Sequence, residues 1–374
     1  MDLFLWGPLL DADLCGCVTG VPCDAVPAVL QGMRVQTAAD GGWPMLLDDA
    51  TASVEGRLIR NPGAGVRQQL SAWHALVAPR PLQVVVAVDG TPCPATLWTG
   101  RGAAGAGADW SLATWQTGHG PVWRAAAAEL FAHGLPDMDA ARWQFPVMLK
   151  RAWAQACAAR DPRPATLRHA AQVGDVSVTD RAPPLGRFFR LQGFDVTHRR
   201  FDGQSQGPLP REVMVGVDAV MVLPYDPQRD QVLLVEQIRM GVLLRGDPNP
   251  WMLEPVAGMI DAFETPEQAA LRETREEAGL DVILRHVASF YPSPGNATDY
   301  FHTYVGLCDL PDDMARIGGL ADEHEDLALH LLSLDDAMAL VTSGEIAVGP
   351  CISLICWLAL HRAALRLEFA SPAA

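Results

Sequence analysis

The segment 258–280 carries glutamates whose spacing suits the binding of a divalent cation. Glu273, Glu276 and Glu277 stand at i, i+3 and i+4, so on an α-helix they would project from one face. Like charges at this spacing destabilise a bare helix by about 0.2–0.5 kcal/mol per pair, and a bound cation reverses that sign. Carboxylate oxygens grouped in this way suit Mg²⁺ or Mn²⁺. The alternative for such a triplet is a solvated acidic helix face.

The helix that would position these glutamates has local start and stop signals. Thr265 suits the N-cap, and Gln268 stands where a capping box places Glu or Gln. Pro266 fits the first helical position, and Gly279 predicts the end of the helix. We expect a second, packing face to be formed by Leu271, Thr274 and Ala278.

The spacing of the whole segment is more specific than the triplet. It resembles the Nudix box at every charged and glycine position, with Thr274 at a position that is usually aliphatic. The matching positions are Gly258, Glu264, Arg272, Glu273, Glu276, Glu277, Gly279 and Leu280.

The resemblance extends beyond the box. From about residue 170 to 366 the chain is similar to the ADP-ribose pyrophosphatase branch of Nudix hydrolases, in "LPYDPQRDQVLLVEQIR", "PWMLEPVAGMIDAFETPEQAALRETREEAGL", "SPG" and "GLADEHEDL". This resemblance implies hydrolysis of the diphosphate of ADP-ribose to AMP and ribose 5-phosphate, with several Mg²⁺ ions and Mn²⁺ as a possible substitute. The alternatives are another ADP-sugar, a dinucleotide such as NADH, or a non-catalytic ADP-ribose sensor with a partner-binding N-terminal domain.

The resemblance also assigns roles to residues. Glu323, in "ADEHEDL", is the candidate base that deprotonates a metal-bound water. Glu276 is assigned as a second catalytic residue, which helps to hold a further ion. Glu264 and Arg272 are expected to form a structural ion pair between loop and helix. The implied metal ligands are the carbonyl of Ala257 and the side chains of Glu273, Glu276, Glu277 and Glu325.

Three residues match substrate-binding positions of that family. Arg239, at the end of "EQIR", can meet a phosphate through charge-assisted hydrogen bonds. Arg211 and Phe188 match further positions, with Phe188 as an aromatic platform for adenine. The family exchanges its N-terminal strands across a homodimer, so both could serve the neighbouring subunit's site. The alternative is a surface arginine and a core phenylalanine.

The first hundred residues show a different resemblance. "LFLWGPLL", "VEGRLIR" and "LSAWHA" are similar to the γ-glutamyl cyclotransferase-like fold. Trp6 and Pro8 depart from the opening loop of that family, and His74 stands in place of its catalytic glutamate. Without that carboxylate the proton transfer of cyclisation has no evident base. We therefore expect a catalytically degenerate binding or structural module, with His74 as a replacement base being the alternative.

The sequence predicts an α+β protein of two domains, since 374 residues suffice for two cores. Apolar runs at 3–5 and 82–88 predict a β-rich region over 1–100, which the resemblance implies to be a small cyclotransferase-like barrel domain. A flexible stretch and connecting helices are predicted over 101–165. The Nudix domain is expected over 166–374, as an α/β/α sandwich with a mixed sheet. Its C-terminal helices are predicted near 334–343 and 349–366.

Composition limits the partners. The net charge of -16 argues against nucleic acid or anionic membranes, which are usually met by basic patches. We find no run of about 18 uninterrupted apolar residues. The N-terminus has no basic region and its apolar run is broken, so we expect a cytoplasmic protein. The eight cysteines lack CxxC pairs, which favours reduced, mostly buried thiols over a zinc site.

Overall fold

The computed structural model of the chain describes residues 2–22, 24–37, 43–100, 109–161, 163–181, 184–311, 317–319 and 326–370. The chain forms two compact units, Met1–Arg211 and Glu212–Ala374. This division lies on the C-terminal side of the boundary expected near residue 165. The predicted flexible Gly/Ala stretch at 101–108 lies outside the described residues.

The helices predicted near 334–343 and 349–366 are present. The helices are α1 (Ala12–Thr19), α2 (Ala64–Val77), α3 (Leu112–Gly118), α4 (Gly120–Phe131), α5 (Met138–Arg160), α6 (Met240–Arg245), α7 (Pro266–Ala278), α8 (Leu334–Ser343) and α9 (Gly349–Ala370). The strands of the first unit are β1 (Asp2–Leu5), β2 (Val26–Gln36), β3 (Met45–Ile59), β4 (Arg80–Val88), β5 (Thr91–Thr99), β6 (Val176–Asp180), β7 (Arg190–Arg199) and β8 (Ser205–Val215), which ends in the second. The strands of the second unit are β9 (Asp218–Asp226), β10 (Gln231–Ile238), β11 (Trp251–Glu254), β12 (Val256–Met259), β13 (Ile283–Phe290), β14 (Tyr300–Leu307), β15 (Ile317–Gly318) and β16 (Leu327–Ser333).

The first unit contains a closed β-barrel in the order β1-β3-β2-β4-β5. β1 pairs antiparallel with β3, with Leu3 opposite Ile59, and parallel with β5, with Asp2 opposite Ala95. The barrel core is apolar and includes Phe4, Leu58 and Leu97. The expectation of a small N-terminal β-rich barrel is therefore confirmed.

Helices and a second sheet complete the first unit. Trp43, Trp73 on α2 and Trp123 on α4 pack against one another. Phe145 on α5 packs against Trp73 and Trp123, and all these ring centroids lie 5.4–6.1 Å apart. Buried aromatic pairs of this kind add to the stabilisation from burial alone. β6, β7 and β8 form a separate three-stranded sheet.

The second unit is a three-layer sandwich around a mixed sheet, as predicted. Among the described residues, six strands follow the order β13-β14-β9-β10-β16-β15, while β11 pairs with β10 and β12 with β9. β14 lies parallel to β9, and the other recorded pairings are antiparallel. Val305 packs in the core with α8 and α9, whereas Tyr304 donates a hydrogen bond to Glu267 of α7. Because neighbouring strand residues face opposite sides, α7 covers one face and α8 and α9 the other.

Helix α9 combines length with apolar composition. By these criteria alone, Gly349–Phe369 is the one helix in the described parts of the chain that could cross a membrane, with 33% of it buried. Its fully buried residues Cys351, Leu354 and Leu358 belong to the core of the second unit.

The cysteines are free thiols wherever the chain is described. Cys15, Cys308 and Cys351 are buried, and four others are half-buried. Burial raises the pKa of Cys351, with a contribution from the charge of Glu254, to about 12.

Candidate active site

Helix α7 is built by the local signals expected from the sequence. The N-cap Thr265 accepts a hydrogen bond at its hydroxyl from the amide of Gln268 at 3.2 Å, and its own amide donates to the Gln268 side chain at 2.9 Å. This reciprocal pair is the predicted capping box. Gly279 ends the helix with φ of 67°, a conformation that favours glycine.

Two glutamates on the inner face of α7 pack against strand β12. Glu277 is 2% exposed, and its Oε2 accepts a hydrogen bond from the amide of Ala257 at 3.3 Å. Gly258 makes room for Glu273, because a Cβ at this position would lie 1.9 Å from the carboxyl carbon of Glu273. The glycine of the box is therefore required by the close approach of a carboxylate to the backbone.

Arg272 links three carboxylates of the segment. Its guanidinium donates to Glu264 at 2.9 and 3.0 Å, to Glu273 at 2.7 Å and to Glu276 at 3.0 Å. A further bond reaches the carbonyl of Met259 at 3.2 Å. Burial alone would lower the pKa of Arg272, but the hydrogen bonds and charges of Glu264 and Glu273 raise it overall. The expected ion pair between Glu264 and Arg272 is confirmed, and it is part of a larger network.

The packing face of α7 differs from the sequence expectation in one respect. Thr274 is fully buried, and its hydroxyl donates to the carbonyl of Ala270 at 2.6 Å, so its polar group is satisfied. Leu271 instead lines an open pocket of about 300 Å³, together with Arg272 and Glu276. A glutamate, Glu277, therefore takes the inward position on this helix.

The donor set fits a hard divalent cation in its chemistry. Glu273, Glu276 and Glu277 supply carboxylate oxygens, which Mg²⁺ prefers. Gly258 provides the cleared space in which the Glu273 carboxylate lies against β12. Within the described ranges, no group of three or more His, Cys, Asp or Glu side chains is arranged to hold a metal ion. Arg272 forms ion pairs with two of these three carboxylates, those of Glu273 and Glu276.

Arg239 is held by a buried carboxylate. Its Nε and Nη2 donate to Glu254 at distances from 2.5 to 3.0 Å, and Glu254 is 6% exposed. Gln237 donates to the same carboxylate at 3.4 Å. The side chain of Arg239 is nevertheless 41% exposed, so its guanidinium remains accessible to an anion.

The other expected site residues lie elsewhere. Phe188 and Arg211 belong to the first unit, where Phe188 is 39% exposed and Arg211 is an exposed residue of β8. Glu323 and Glu325 lie outside the described residues. The structure thus brings together Ala257, Glu273, Glu276 and Glu277 around α7, and the roles of these and of the other site residues stay predictions.

His74 is enclosed within the first unit. It is 3% exposed, its ring stacks on Trp98 with centroids 4.3 Å apart, and its Nδ1 lies 2.6 Å from the carbonyl of Leu70. Burial lowers the pKa of His74 to about 4. Trp6 is also buried, and its indole donates to the carbonyl of Trp98 at 2.9 Å. Burial of this kind disfavours the charged imidazole.

Two residues near the site were not found by sequence reasoning. Glu254 lies opposite Val235 in the β10–β11 pair, and that register is not visible in the sequence. Gly318 passes against the end of α7, where a Cβ would lie 2.1 Å from the carbonyl oxygen of Glu277. Its only sequence signal is the Gly318-Gly319 pair.

Comparisons with known proteins agree with this geometry. The family model described as NUDIX domain matches residues 216–349. The ADP-ribose pyrophosphatase of Escherichia coli (strain K12) is 39% identical over 197 residues, which are 52% of this chain and 93% of that protein. The ADP-ribose pyrophosphatase of Haemophilus influenzae is 35% identical over 195 residues, 51% of this chain and 89% of that protein. The GDP-mannose pyrophosphatase of Citrobacter koseri is 30% identical over 149 residues, 40% of this chain and 76% of that protein.

Proposed function

The chain belongs to the Nudix family of hydrolases, and on that premise we propose that it hydrolyses the diphosphate of ADP-ribose to AMP and ribose 5-phosphate. The observation that carries this proposal is the packing of Glu273 and Glu277 against β12 near Gly258, in a segment that matches the box at every charged and glycine position. Water adds across one P–O bond of the diphosphate, and the bridging oxygen leaves with the other phosphate.

ADP-ribose is favoured over other nucleoside diphosphate derivatives. The two ADP-ribose pyrophosphatases are 39% and 35% identical to this chain over almost 200 residues. The GDP-mannose pyrophosphatase is 30% identical over 149 residues. The longer and closer match supports an adenine nucleotide as the substrate.

Mg²⁺, or Mn²⁺ in its place, is the proposed cofactor. Glu273, Glu276, Glu277, the carbonyl of Ala257 and Glu325 would hold it. When bound, the metal neutralises charge on the diphosphate and acidifies water. Glu323 accepts the proton of the attacking water, and Arg239 binds a phosphate oxygen by charge-assisted hydrogen bonds. We also propose a cytoplasmic homodimer, on the strength of the sequence features and the family resemblance.

A substrate panel tests the proposal directly. The protein is incubated with Mg²⁺ and ADP-ribose, an ADP-hexose, GDP-mannose or NADH, and the released nucleoside monophosphate is measured. We expect the highest kcat/KM with ADP-ribose. Absence of AMP from ADP-ribose would overturn the proposal, and tight binding without hydrolysis would instead indicate a sensor.

The Glu277→Gln variant separates chemistry from folding. Glutamine preserves the shape of a side chain that is 2% exposed, and its amide oxygen can still accept from Ala257. We expect turnover to fall by at least about a hundredfold with an unchanged melting profile. Unchanged turnover would show that Glu277 is not a metal ligand.

A further inference from the structure

A serine hydroxyl on strand β13 of the second unit connects two histidines. Ser289 Oγ lies 2.9 Å from Nε2 of His286 and 3.0 Å from Nδ1 of His302 on β14. A hydroxyl has one proton to donate, so it donates to one ring nitrogen and accepts from the other. The nitrogens of two imidazole rings therefore point at one position.

A β-bulge brings these three side chains to one face of the sheet. Side chains three residues apart on a regular strand point to opposite faces. In β13 the register with β14 shifts between His286 and Ala288. His286 consequently lies opposite Tyr304, and Ser289 lies opposite His302, which shares a face with Tyr304. Bulges of this kind commonly re-aim a side chain next to a functional site.

Tyrosine side chains restrict both imidazole rings. The His286 ring meets Tyr304 edge to face with centroids 5.4 Å apart, and the His302 ring meets Tyr300 in the same way at 5.2 Å. Both tyrosines are buried, and the Tyr304 hydroxyl donates to Glu267 of α7 at 3.2 Å. Donors whose supporting side chains are fixed in this way are suited to bind an ion.

The two histidines are separate from the α7 carboxylates. His302 lies opposite Val220 of β9, and Val220 lies opposite Gly258 of β12. Two strand spacings place His302 roughly 10 Å from the backbone against which the Glu273 carboxylate packs. The donors also differ in kind, because imidazole suits Zn²⁺, Ni²⁺ and Cu²⁺ whereas carboxylates suit Mg²⁺.

The alternative is a hydrogen-bonded triad that only stabilises the pairing of β13 with β14. Such a triad requires the hydroxyl of Ser289, which connects the two rings. Binding of a metal ion requires the two ring nitrogens instead. Removal of the hydroxyl therefore has different consequences under the two interpretations.

We propose that His286 and His302 bind a divalent transition-metal ion, such as Zn²⁺ or Ni²⁺, next to the hydroxyl of Ser289. Among the described residues no set of three or more His, Cys, Asp or Glu side chains is arranged to hold an ion. Two imidazoles, one hydroxyl and water therefore make up the coordination. The bound ion connects β13 to β14, and this role is independent of the proposed hydrolysis.

The test uses Ni²⁺ as the probe, with an excess of Mg²⁺ to occupy the carboxylates of α7. Thermal unfolding and calorimetric titration are compared for wild type, His286→Asn, His302→Asn, Ser289→Ala and His361→Asn. Asparagine can keep a hydrogen bond to Ser289, but it lacks the imidazole that Ni²⁺ prefers. His361 is the matched control, because it is an exposed histidine of the same unit whose Nδ1 lies 2.8 Å from the carbonyl of Trp357.

We expect Ni²⁺ at ten times its Kd to raise Tm by about 3–6 °C for a unit of this size, in wild type and in His361→Asn. His286→Asn and His302→Asn should both lose this rise, together with the corresponding calorimetric binding. Ser289→Ala should melt at a lower temperature than wild type without metal, and Ni²⁺ should still raise its Tm.

Three outcomes would overturn the inference. No response of wild type to Ni²⁺ would leave only the hydrogen-bonded triad. Equal responses of wild type, His286→Asn and His302→Asn would place the ion elsewhere on the chain. Loss of the response in Ser289→Ala would show that the two imidazoles do not hold the ion. Neither assay contains ADP-ribose, so failure here is distinct from failure of the proposed function.

Discussion

Replacing Arg272 with glutamine should weaken the second unit in a way that Mg²⁺ repairs. The wild-type guanidinium makes hydrogen bonds to Glu264, Glu273, Glu276 and the carbonyl of Met259. Its removal leaves three carboxylates without their common cation. Glutamine is too short and uncharged, so it cannot replace this pairing.

The magnitude follows from these contacts. A hydrogen bond to a charged group contributes about 1.5–3 kcal/mol net, but bonds that share one guanidinium do not add. Arg272 is 30% exposed, so water partly compensates its loss. We expect the free energy of unfolding to fall by about 2–4 kcal/mol, which corresponds to roughly 4–16 °C in Tm for a unit of this size. A cation that binds the freed carboxylates returns about 2.7 kcal/mol at a hundred times its Kd.

The assay is thermal unfolding in EDTA and at increasing Mg²⁺, with ionic strength held constant by KCl. Arg275→Gln is the matched control, because Arg275 lies on the same helix, is 62% exposed and pairs with Asp281, which is 81% exposed. That exposed pair should contribute less than about 1 kcal/mol. The reasoning is wrong if Arg272→Gln loses no more than Arg275→Gln, or if Mg²⁺ stabilises wild type and Arg272→Gln equally.

Three further predictions concern single side chains. Gly258→Ala should slow ADP-ribose hydrolysis by about a hundredfold in steady-state assays, because its Cβ displaces the Glu273 carboxylate; wild-type rates would refute this. Arg239→Lys should raise KM by about tenfold with little change in kcat, since lysine lacks the bidentate fork; an unchanged KM would remove Arg239 from the site. Burial lowers the pKa of His74 from 6.5 to about 4. The contribution of neutral His74 to the free energy of unfolding is therefore complete above about pH 6.5 and is lost towards pH 4. Urea unfolding should show up to about 3 kcal/mol of this loss in wild type and not in His74→Leu.

Helix α7 could be predicted in detail because its signals are local. The N-cap at Thr265, the partner at Gln268 and the stop at Gly279 act within a few residues, and the structure has all three. The burial of Glu277 could not be predicted in the same way. Helical periodicity suggested Leu271 as a packing residue, whereas the approach of β12 at Ala257 decides which face is covered.

Contacts between distant segments were the main omissions. The partner of Arg239 is Glu254. The two residues lie close together because β10 pairs with β11, although helix α6 separates these strands in the sequence. β7 begins at Arg190, directly after a loop in which Gly186 has φ of 110° and Arg151 donates to the carbonyl of Phe188. The turn at Gly186 and the pairing with Arg151 depend on α5, far earlier in the chain.

The closed barrel also governs the order in which the first unit can fold. β1 can pair with β3 once Ile59 is available, but the sheet closes only when Asp2 meets Ala95. Contacts between residues so far apart in sequence form slowly, because a long loop must first be ordered. During synthesis the apolar "LFLW" strand therefore stays incompletely paired until β5 has left the ribosome. The nascent chain is consequently prone to aggregation until Ala95 has been synthesised.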